Sequence, residues 1–342
     1  MDELAVHKIL NKYGEKIEKE IEKYFRDKRR DARDHEFIAQ LYNSLEAYVV
    51  RKGTRLASCI TLLVYNGYKD RVDNEILKVC AGIELYRHAI LIHDDLVDLD
   101  ELRRGETSFH RLFGALSKRF GESVAIFAGN SLYSLALDCI LNSQFERKVL
   151  YDSIMVLNKE YSNVNESQIL DVLFEYKKPD EVEWYQMASK RAASLFRAAM
   201  LIGAILSNAL EDDKEILTQV AEHMGYALDI RDDIMGTFAT EEDYGRKPIG
   251  DIKLFKKPLH LIYTLRNPGE DIVTDLRTML KTNDVNGVRE LIRTYGLGRA
   301  KEKSREHAKN AMTLIEQTAL HGDVKHFFRA FLSYISESLD WY

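Results

Sequence analysis

The sequence predicts an all-α fold of long helices packed as a bundle, and three observations carry that prediction. Only four of the 342 residues are proline. The first is Pro179, so the first half of the chain lacks the strongest helix breaker. Apolar residues recur at spacings of three and four along most of the chain. There is no strand-rich segment, internal repeat or low-complexity linker. With 45% apolar and 30% charged residues, the chain has enough material for a sizeable core and a charged surface. One domain spanning residues 1–342 is expected.

The elements follow in order. Leu10, Tyr13, Ile17, Ile21 and Tyr24, with Glu and Lys between them, mark an amphipathic first helix. Arg26 to Glu36 is densely and evenly charged and reads as a solvated helix end or linker. A second helix covers Phe37 to Val50, and a third follows the basic stretch Arg51 to Arg55. Lys69 to Asn74 is a turn. Glu75 to Leu96 is apolar nearly all round, as a central helix should be, with Gly105 just past its end. Helical patterns continue through Glu122–Leu141, Phe145–Glu175, Glu181–Asn208 and Lys214–Met235. Gly236 to Pro258 holds glycines and two prolines and reads as a functional loop. The remainder is helical.

Composition also narrows function. A formal net charge of -6 argues against nucleic-acid binding. The charged N-terminus is unlike a signal peptide, and no apolar run reads as long enough for a transmembrane segment. Cys59, Cys80 and Cys139 lie far apart in apolar surroundings and read as reduced, buried thiols, which places the protein in the cytoplasm.

Three constellations bear chemistry. The strongest is Asp94-Asp95-Leu96-Val97-Asp98, followed by Arg103-Arg104-Gly105. On a helix Asp94 and Asp98 share a face. Like charges crowded at the end of an apolar helix need compensation, and hard divalent cations bound through carboxylate oxygens provide it. Magnesium keeps water and substrate phosphates in its shell, and the adjacent arginines suit a phosphorylated ligand. Taken alone, the acidic motif is equally an exposed helix end. The second constellation places Asp229, Asp232 and Asp233 at i, i+3 and i+4, before Gly245-Arg246-Lys247. A charge cluster on a helix surface is the plainer account of that segment alone. Two such acidic ends facing one another across a cavity would let several cations clamp one diphosphate. The third, Arg51-Lys52-Gly53-Thr54-Arg55, fits a phosphate cradle and a surface turn equally well.

Together these motifs resemble the trans-isoprenyl diphosphate synthase (polyprenyl synthetase) family, which contains the farnesyl and geranylgeranyl diphosphate synthases. The match runs from about Tyr48 to Leu265. Gln168-x-x-Asp171 and Ser194-Leu195-Phe196-Arg197-Ala198-Ala199 support it. The resemblance implies an isoprenoid synthase-type bundle around a deep central cavity, normally a homodimer, that condenses isopentenyl diphosphate with an allylic diphosphate. It implies that Asp94, Asp95 and Asp98 bind magnesium, with Asp232 holding a further ion and Asp233 close by, three ions in all with substrate bound. Arg103, Lys247 and, less directly, Lys257 would neutralise the allylic diphosphate. Lys52, Arg55 and Arg104 would bind the isopentenyl diphosphate. Residues a turn or two before the first motif set product length in the family. Here Ala89 is small, Ile90 follows, and Tyr86 lies about 12 Å down the helix from Asp94. Tyr86 reads equally as a packed core aromatic; taken as the floor, the pattern favours geranylgeranyl or a somewhat longer product.

Several positions depart from the family pattern. Asp229 replaces a usual Gln, and Arg191-Ala192 replaces a Lys-Thr pair. Gly53 and Leu56 stand for an Arg and a Pro. Arg87 occupies a His or Gln position, and Gly236 replaces a third Asp. Competing readings remain. A terpene cyclase would lack the second acidic motif and the Lys52/Arg55 site. An HD-type phosphohydrolase would leave Asp98 and Arg103-Arg104 unexplained. A catalytically weak regulatory subunit of a heteromeric synthase tends to lose an acidic motif, and this chain keeps both.

Overall fold

A computed structural model describes residues 3–31, 35–244, 248–267 and 271–342. Helices dominate, in the order α1 (Glu3–Asp31), α2 (Glu36–Val49), α3 (Leu56–Lys69) and α4 (Asn74–Val97). A two-stranded hairpin, β1 (Leu102–Arg103) and β2 (Glu106–Thr107), leads to α5 (Phe109–Leu112), α6 (Lys118–Leu141), α7 (Arg147–Glu175), α8 (Glu181–Ala188) and α9 (Ala192–Leu206). Then come α10 (Glu211–Phe238), α11 (Glu241–Tyr244), α12 (Gly250–Lys253), α13 (Leu259–Leu265), α14 (Ile272–Lys281), α15 (Val285–Ile292), α16 (Gly298–Ile315) and α17 (Gly322–Ser338). A π-helical turn joins α15 to α16. The all-α expectation holds.

Contacts group these helices into two units: Met1–Asn158 with Ala198–Glu215 and Ala319–Phe327, and Lys159–Arg197 with Ile216–Thr318 and Phe328–Tyr342. In the first unit α4 is central. Asp73 starts it, accepting from the amides of Glu75 and Ile76, an N-cap worth about 1 kcal/mol. α4 packs on α1, α3 and most extensively on α6. Ile17, Ile21, Phe25, Ile60, Leu62, Ile83 and Leu85 are fully buried there, each contributing roughly 1.5–3 kcal/mol. Glycines let α4 and α6 approach closely. A Cβ on Gly82 would lie 2.8 Å from the Ala136 carbonyl oxygen. In the second unit Trp184, Ile230, Ile234, Leu261, Ile262, Ile292 and Leu297 form one apolar core. All three cysteines are buried and free.

Three expectations need correction. The pattern over Glu181–Asn208 is two helices, because the chain turns at Ser189–Arg191. Arg197 donates to the Ser189 carbonyl at 2.7 Å, satisfying a group that the break releases. The Gly236 to Pro258 segment is partly helical, with α10 reaching Phe238 and two short helices after it. The charged stretch from Arg26 is, as expected, a helix end, the last turns of α1 up to Asp31. Finally, α6 is long and apolar enough to cross a membrane by length and composition, although 44% of its apolar window is buried inside the structure. It packs on α4 like a core helix.

Candidate active site

The first acidic motif ends α4, where the helix dipole disfavours negative charge. Its carboxylates have separate surroundings. Asp95 is fully buried. It accepts from Tyr48 Oη at 2.7 Å and from Arg103 Nε at 2.5 Å. Arg103 also reaches Asp94 at 3.1 Å and Asp100 at 3.6 Å. Burial raises the Asp95 carboxyl above its ordinary range against the pull of Arg103. Arg103 itself is held above its ordinary value, because Asp95 and Asp94 outweigh its own desolvation. Asp94 is partly exposed and Asp98 caps the helix. Tyr48 and Arg103 thus close around Asp95, while Asp94 and Asp98 occupy the shared face predicted for them.

Arg103-Arg104-Gly105 turns out to be a tight hairpin. Leu102 pairs with Thr107 and Arg103 with Glu106. Arg104 and Gly105, at φ 56° and 78°, form the two-residue turn, the geometry that suits right-twisted strands. The turn sends neighbouring arginines to different places. Arg103 goes to the acidic motif, and Arg104 donates to the Arg51 carbonyl at 3.1 Å.

The basic loop adjoins this turn. A Cβ on Gly53 would sit 2.7 Å from the Arg104 guanidinium carbon. The family's arginine at this position is therefore absent where another guanidinium fills its space. Leu56 begins α3, where a proline is tolerated but not needed. Lys52 is exposed. Arg51 lies over the Tyr48 ring at 4.8 Å and pairs with Glu106 at 3.2 Å. Arg55 is buried in a left-handed conformation, φ 47°. It donates to Glu18 at 3.0 Å and to the Val49 carbonyl at 3.0 Å, and lies 3.6 Å from Glu84. In this conformation Arg55 is committed to the protein and not offered to a ligand. Glu84 is fully buried and accepts from Ser58 at 2.7 Å. Burial opposes its charge, but His88, Arg87, Arg55 and Ser58 together keep its carboxyl below the ordinary range. Burial pushes His88 down to about 3. Burial and the nearby Arg87 bring Arg104 down to about 10, against the attraction of Glu84. Arg87, Arg104 and Arg55 are thus gathered around one carboxylate, an arrangement that favours an added anion.

In the second unit the acidic residues of α10 divide. Arg191, from the turn between α8 and α9, donates through two nitrogens to Asp229 at 2.9 and 3.0 Å and lies 3.6 Å from Asp233 and 3.5 Å from Asp171. Asp232 is mostly exposed, 3.3 Å from Arg231, which is anchored by Ser338 at 2.6 Å. The three carboxylates keep the spacing of one helical side on α10 but have separate surroundings, with Arg191 engaging Asp229 and lying near Asp233 while Asp232 stays exposed. Burial raises both Asp229 and Asp233, Arg191 notwithstanding, and Asp233 the more strongly. Gln168 lies one turn before Asp171 on α7, half-buried. A Cβ on Gly236 would touch the Tyr244 ring at 3.4 Å, so an aromatic stands over the position of the family's third Asp.

The sequence reading chose Lys257, but Lys256 joins this cluster, 2.8 Å from Asp171 and 3.8 Å from Asp251. Lys257 donates to the Phe255 carbonyl and is half-buried, with the charges of Glu175 and, more weakly, Asp171 acting on it. Two adjacent lysines carry one signal in sequence, and only the backbone turn separates them. Lys247 lies outside the described residues. Tyr48, Glu84 and Lys256 were missed, the first two because their partners lie 47 and 26 residues away. Tyr86 is fully buried, its ring 6.3 Å from Tyr133 of α6; Ala89 is buried and Ile90 half-buried. Among the described residues no group of three His, Cys, Asp or Glu side chains converges as a ready-made metal cage.

Residues 38–295 match the sequence profile of the family described as polyprenyl synthetase. The short chain isoprenyl diphosphate synthase of Methanocaldococcus jannaschii is 30% identical over 247 residues, 72% of each chain. The geranylfarnesyl diphosphate synthase of Aeropyrum pernix is 28% identical over 83% of this chain and 90% of that one. Among solved structures, the geranylgeranyl pyrophosphate synthetase of Pyrococcus horikoshii shares the fold at TM-score 0.83 and 23% identity, covering 97% of this chain and 98% of that one. The geranylgeranyl pyrophosphate synthase of Corynebacterium glutamicum, complexed with isoprenyl diphosphate and magnesium, aligns at TM-score 0.90 and 20% identity over 96% and 99%. The chain belongs to the polyprenyl synthetase family and is a prenyltransferase.

Proposed function

We propose that the protein condenses isopentenyl diphosphate with an allylic diphosphate, head to tail, to give geranylgeranyl diphosphate or a somewhat longer product. The observation that carries this reading is the hairpin that sets Arg103 on Asp94 and Asp95 and Arg104 among Arg87 and Arg55. One short element thereby supports an acidic, metal-type site and a cationic, diphosphate-type site.

The donor chemistry suits magnesium, which takes one or two carboxylates and fills its shell with water and substrate phosphate rather than a protein cage. Asp94 and Asp98 would hold it in the first unit, and Asp232 and Asp233 in the second, with three ions in the substrate complex. Asp95 orients Arg103. When bound, the metal supplies positive charge to the departing diphosphate. Arg103, Lys256 and Lys247 add fixed positive charge as the allylic C–O bond breaks, which is electrostatic catalysis. Lys52, Arg87 and Arg104 receive the isopentenyl diphosphate, and Arg55 joins them once it releases the Val49 carbonyl. The isopentenyl double bond attacks the allylic carbon, and the proton lost from the new bond's neighbour passes to the released diphosphate. Water is excluded by the apolar helices.

Tyr86 supports a floor eight residues below Asp94, with Ala89 leaving space above it. The names of the relatives, geranylgeranyl and geranylfarnesyl diphosphate synthases, favour the same length class. A homodimer is supported by exposed apolar side chains on α6 and α7, Phe127, Ile126, Tyr151 and Ile169 among them.

The test is incubation with magnesium, labelled isopentenyl diphosphate and each of the C5, C10 and C15 allylic diphosphates. Elongation to C20 or beyond is expected, and no elongation from any primer would refute the proposal. Asp94→Asn should lower kcat by about a hundredfold or more. Tyr86→Ala should lengthen the product; an unchanged product rejects Tyr86 as the floor.

A further inference from the structure

The second unit contains a cavity of about 320 Å³ that the proposed chemistry does not use. Its floor is apolar, formed by Ile252, Leu261, Leu265, Leu276 and Leu280 of α12, α13 and α14. Its mouth is cationic, carrying Lys177, Lys178, Lys257 and Arg277 against Glu175. The volume falls at the small end of ligand sites, roughly 300–1,000 Å³. It has room for one chain and none for a folded partner.

The cations are unequally engaged. Lys177 is paired with Glu183. Lys257 is turned onto the Phe255 carbonyl, and Glu175 is the stronger of the two carboxylates acting on it, ahead of Asp171. Lys178 and Arg277 are exposed. The nearby Asp271 is held low first by its hydrogen bonds to Thr274, with Arg277 and Lys178 contributing less. The rim therefore keeps a surplus of positive charge. Phe255 stands at the mouth in a left-handed conformation, φ 61°, more than half exposed. A bulky residue rarely adopts that conformation, and here it leaves an aromatic ring uncovered beside an apolar cleft.

We infer that this cavity is a second binding site for a single-chain amphiphilic phosphate, its chain against the leucine floor and its head group on Lys178, Arg277 and Lys257. The identification of that amphiphile with the enzyme's own class of product, a prenyl diphosphate, rests on the function proposed above. Lys256 and Lys257 are adjacent, one on Asp171 and the other at the cavity mouth. An occupant therefore lies one residue from the acidic cluster.

A local reporter separates this site from the active site. Tyr176 lines the mouth and is exposed, so Tyr176→Trp places a fluorophore there without touching the floor. Titration of the full chain with geranylgeranyl diphosphate in EDTA, and separately with dodecyl phosphate below its micelle concentration, should give a saturable change in tryptophan emission. Lys178→Glu with Arg277→Glu should weaken it at least tenfold, and Val273→Trp, which fills the cleft, should abolish it. Elongation by the charge-reversed variant should be unchanged at low product. No saturable signal from either compound, or a signal that survives both changes, overturns the site. A response to dodecyl phosphate alone overturns the product-class assignment. If elongation fails in the wild type while both compounds bind, the cavity stands and the proposed activity falls.

Discussion

Arg104 and Gly53 occupy one space, and that contact has a kinetic signature. Gly53→Ala pushes a methyl group to 2.7 Å from the Arg104 guanidinium carbon. Arg104 must move, so the KM for isopentenyl diphosphate should rise about tenfold, roughly 1.4 kcal/mol of binding, with kcat little changed in steady-state assays. Arg191 and Asp229 behave as a matched pair. Each departs from the family's usual residue, and they bond to each other twice at 2.9 and 3.0 Å. Asp229→Gln alone strands a buried guanidinium beside Asp233 and Asp171. A broken buried pair costs about 3–5 kcal/mol, although Asp233 and Asp171 will retain part of it. Urea unfolding should show a loss in that direction, and Arg191→Lys added to Asp229→Gln should recover much of it. Two single losses that simply add would show that the positions are independent.

At the scale of the helix, the packing of α4 on α6 sets the height of the acidic motif. Gly82 and Gly129 give the approach. A Cβ on Gly129 would meet the His93 imidazole at 2.3 Å, immediately before Asp94. Gly129→Ala should therefore reduce kcat more than it reduces thermal stability. Gly82→Ala meets backbone, which cannot yield, and should lower stability by about 1–3 kcal/mol, measured by thermal melting. α4 itself was legible in sequence because its apolar residues run all round, whereas the Asp73 cap emerged only from the structure. The acidic motif was legible because local spacing fixes which carboxylates share a helical face. The turn at Ser189–Arg191 was not, since no Gly or Pro marks it, and the Arg197 side chain that bonds its Ser189 carbonyl is itself held by Glu160, 37 residues away. Nor was the burial of Arg55, which depends on Glu18 and Glu84 from two other helices. Periodicity reports which face of a helix is apolar. It is silent on which distant side chain meets a given carboxylate.

For the molecule as a whole, buried imidazoles set an acid limit. His260 donates through Nε2 to Thr237 at 2.9 Å, since the Thr237 hydroxyl proton goes to the Asp233 carbonyl. Burial pushes its pKa from 6.5 to about 3. The folded chain keeps it neutral while the unfolded chain protonates it below pH 6.5. Its contribution to stability is therefore full above 6.5 and declines as pH falls towards 3. The raised carboxyls of Asp229 and Asp233 act in the opposite sense, so the residue-specific test is the sharper one. His260→Gln should flatten the pH dependence of urea unfolding between pH 6.5 and 5.5 by about 1 kcal/mol. An unchanged slope would mean that His260 titrates normally in the fold. The three cysteines have a practical consequence of the same burial. Desolvation raises each thiol above its ordinary range, and the thiolate is the reactive form. Maleimide reagents should therefore pass over the native chain. A cysteine introduced on the surface would then take a spin label or dye by itself, with no native thiol to remove first.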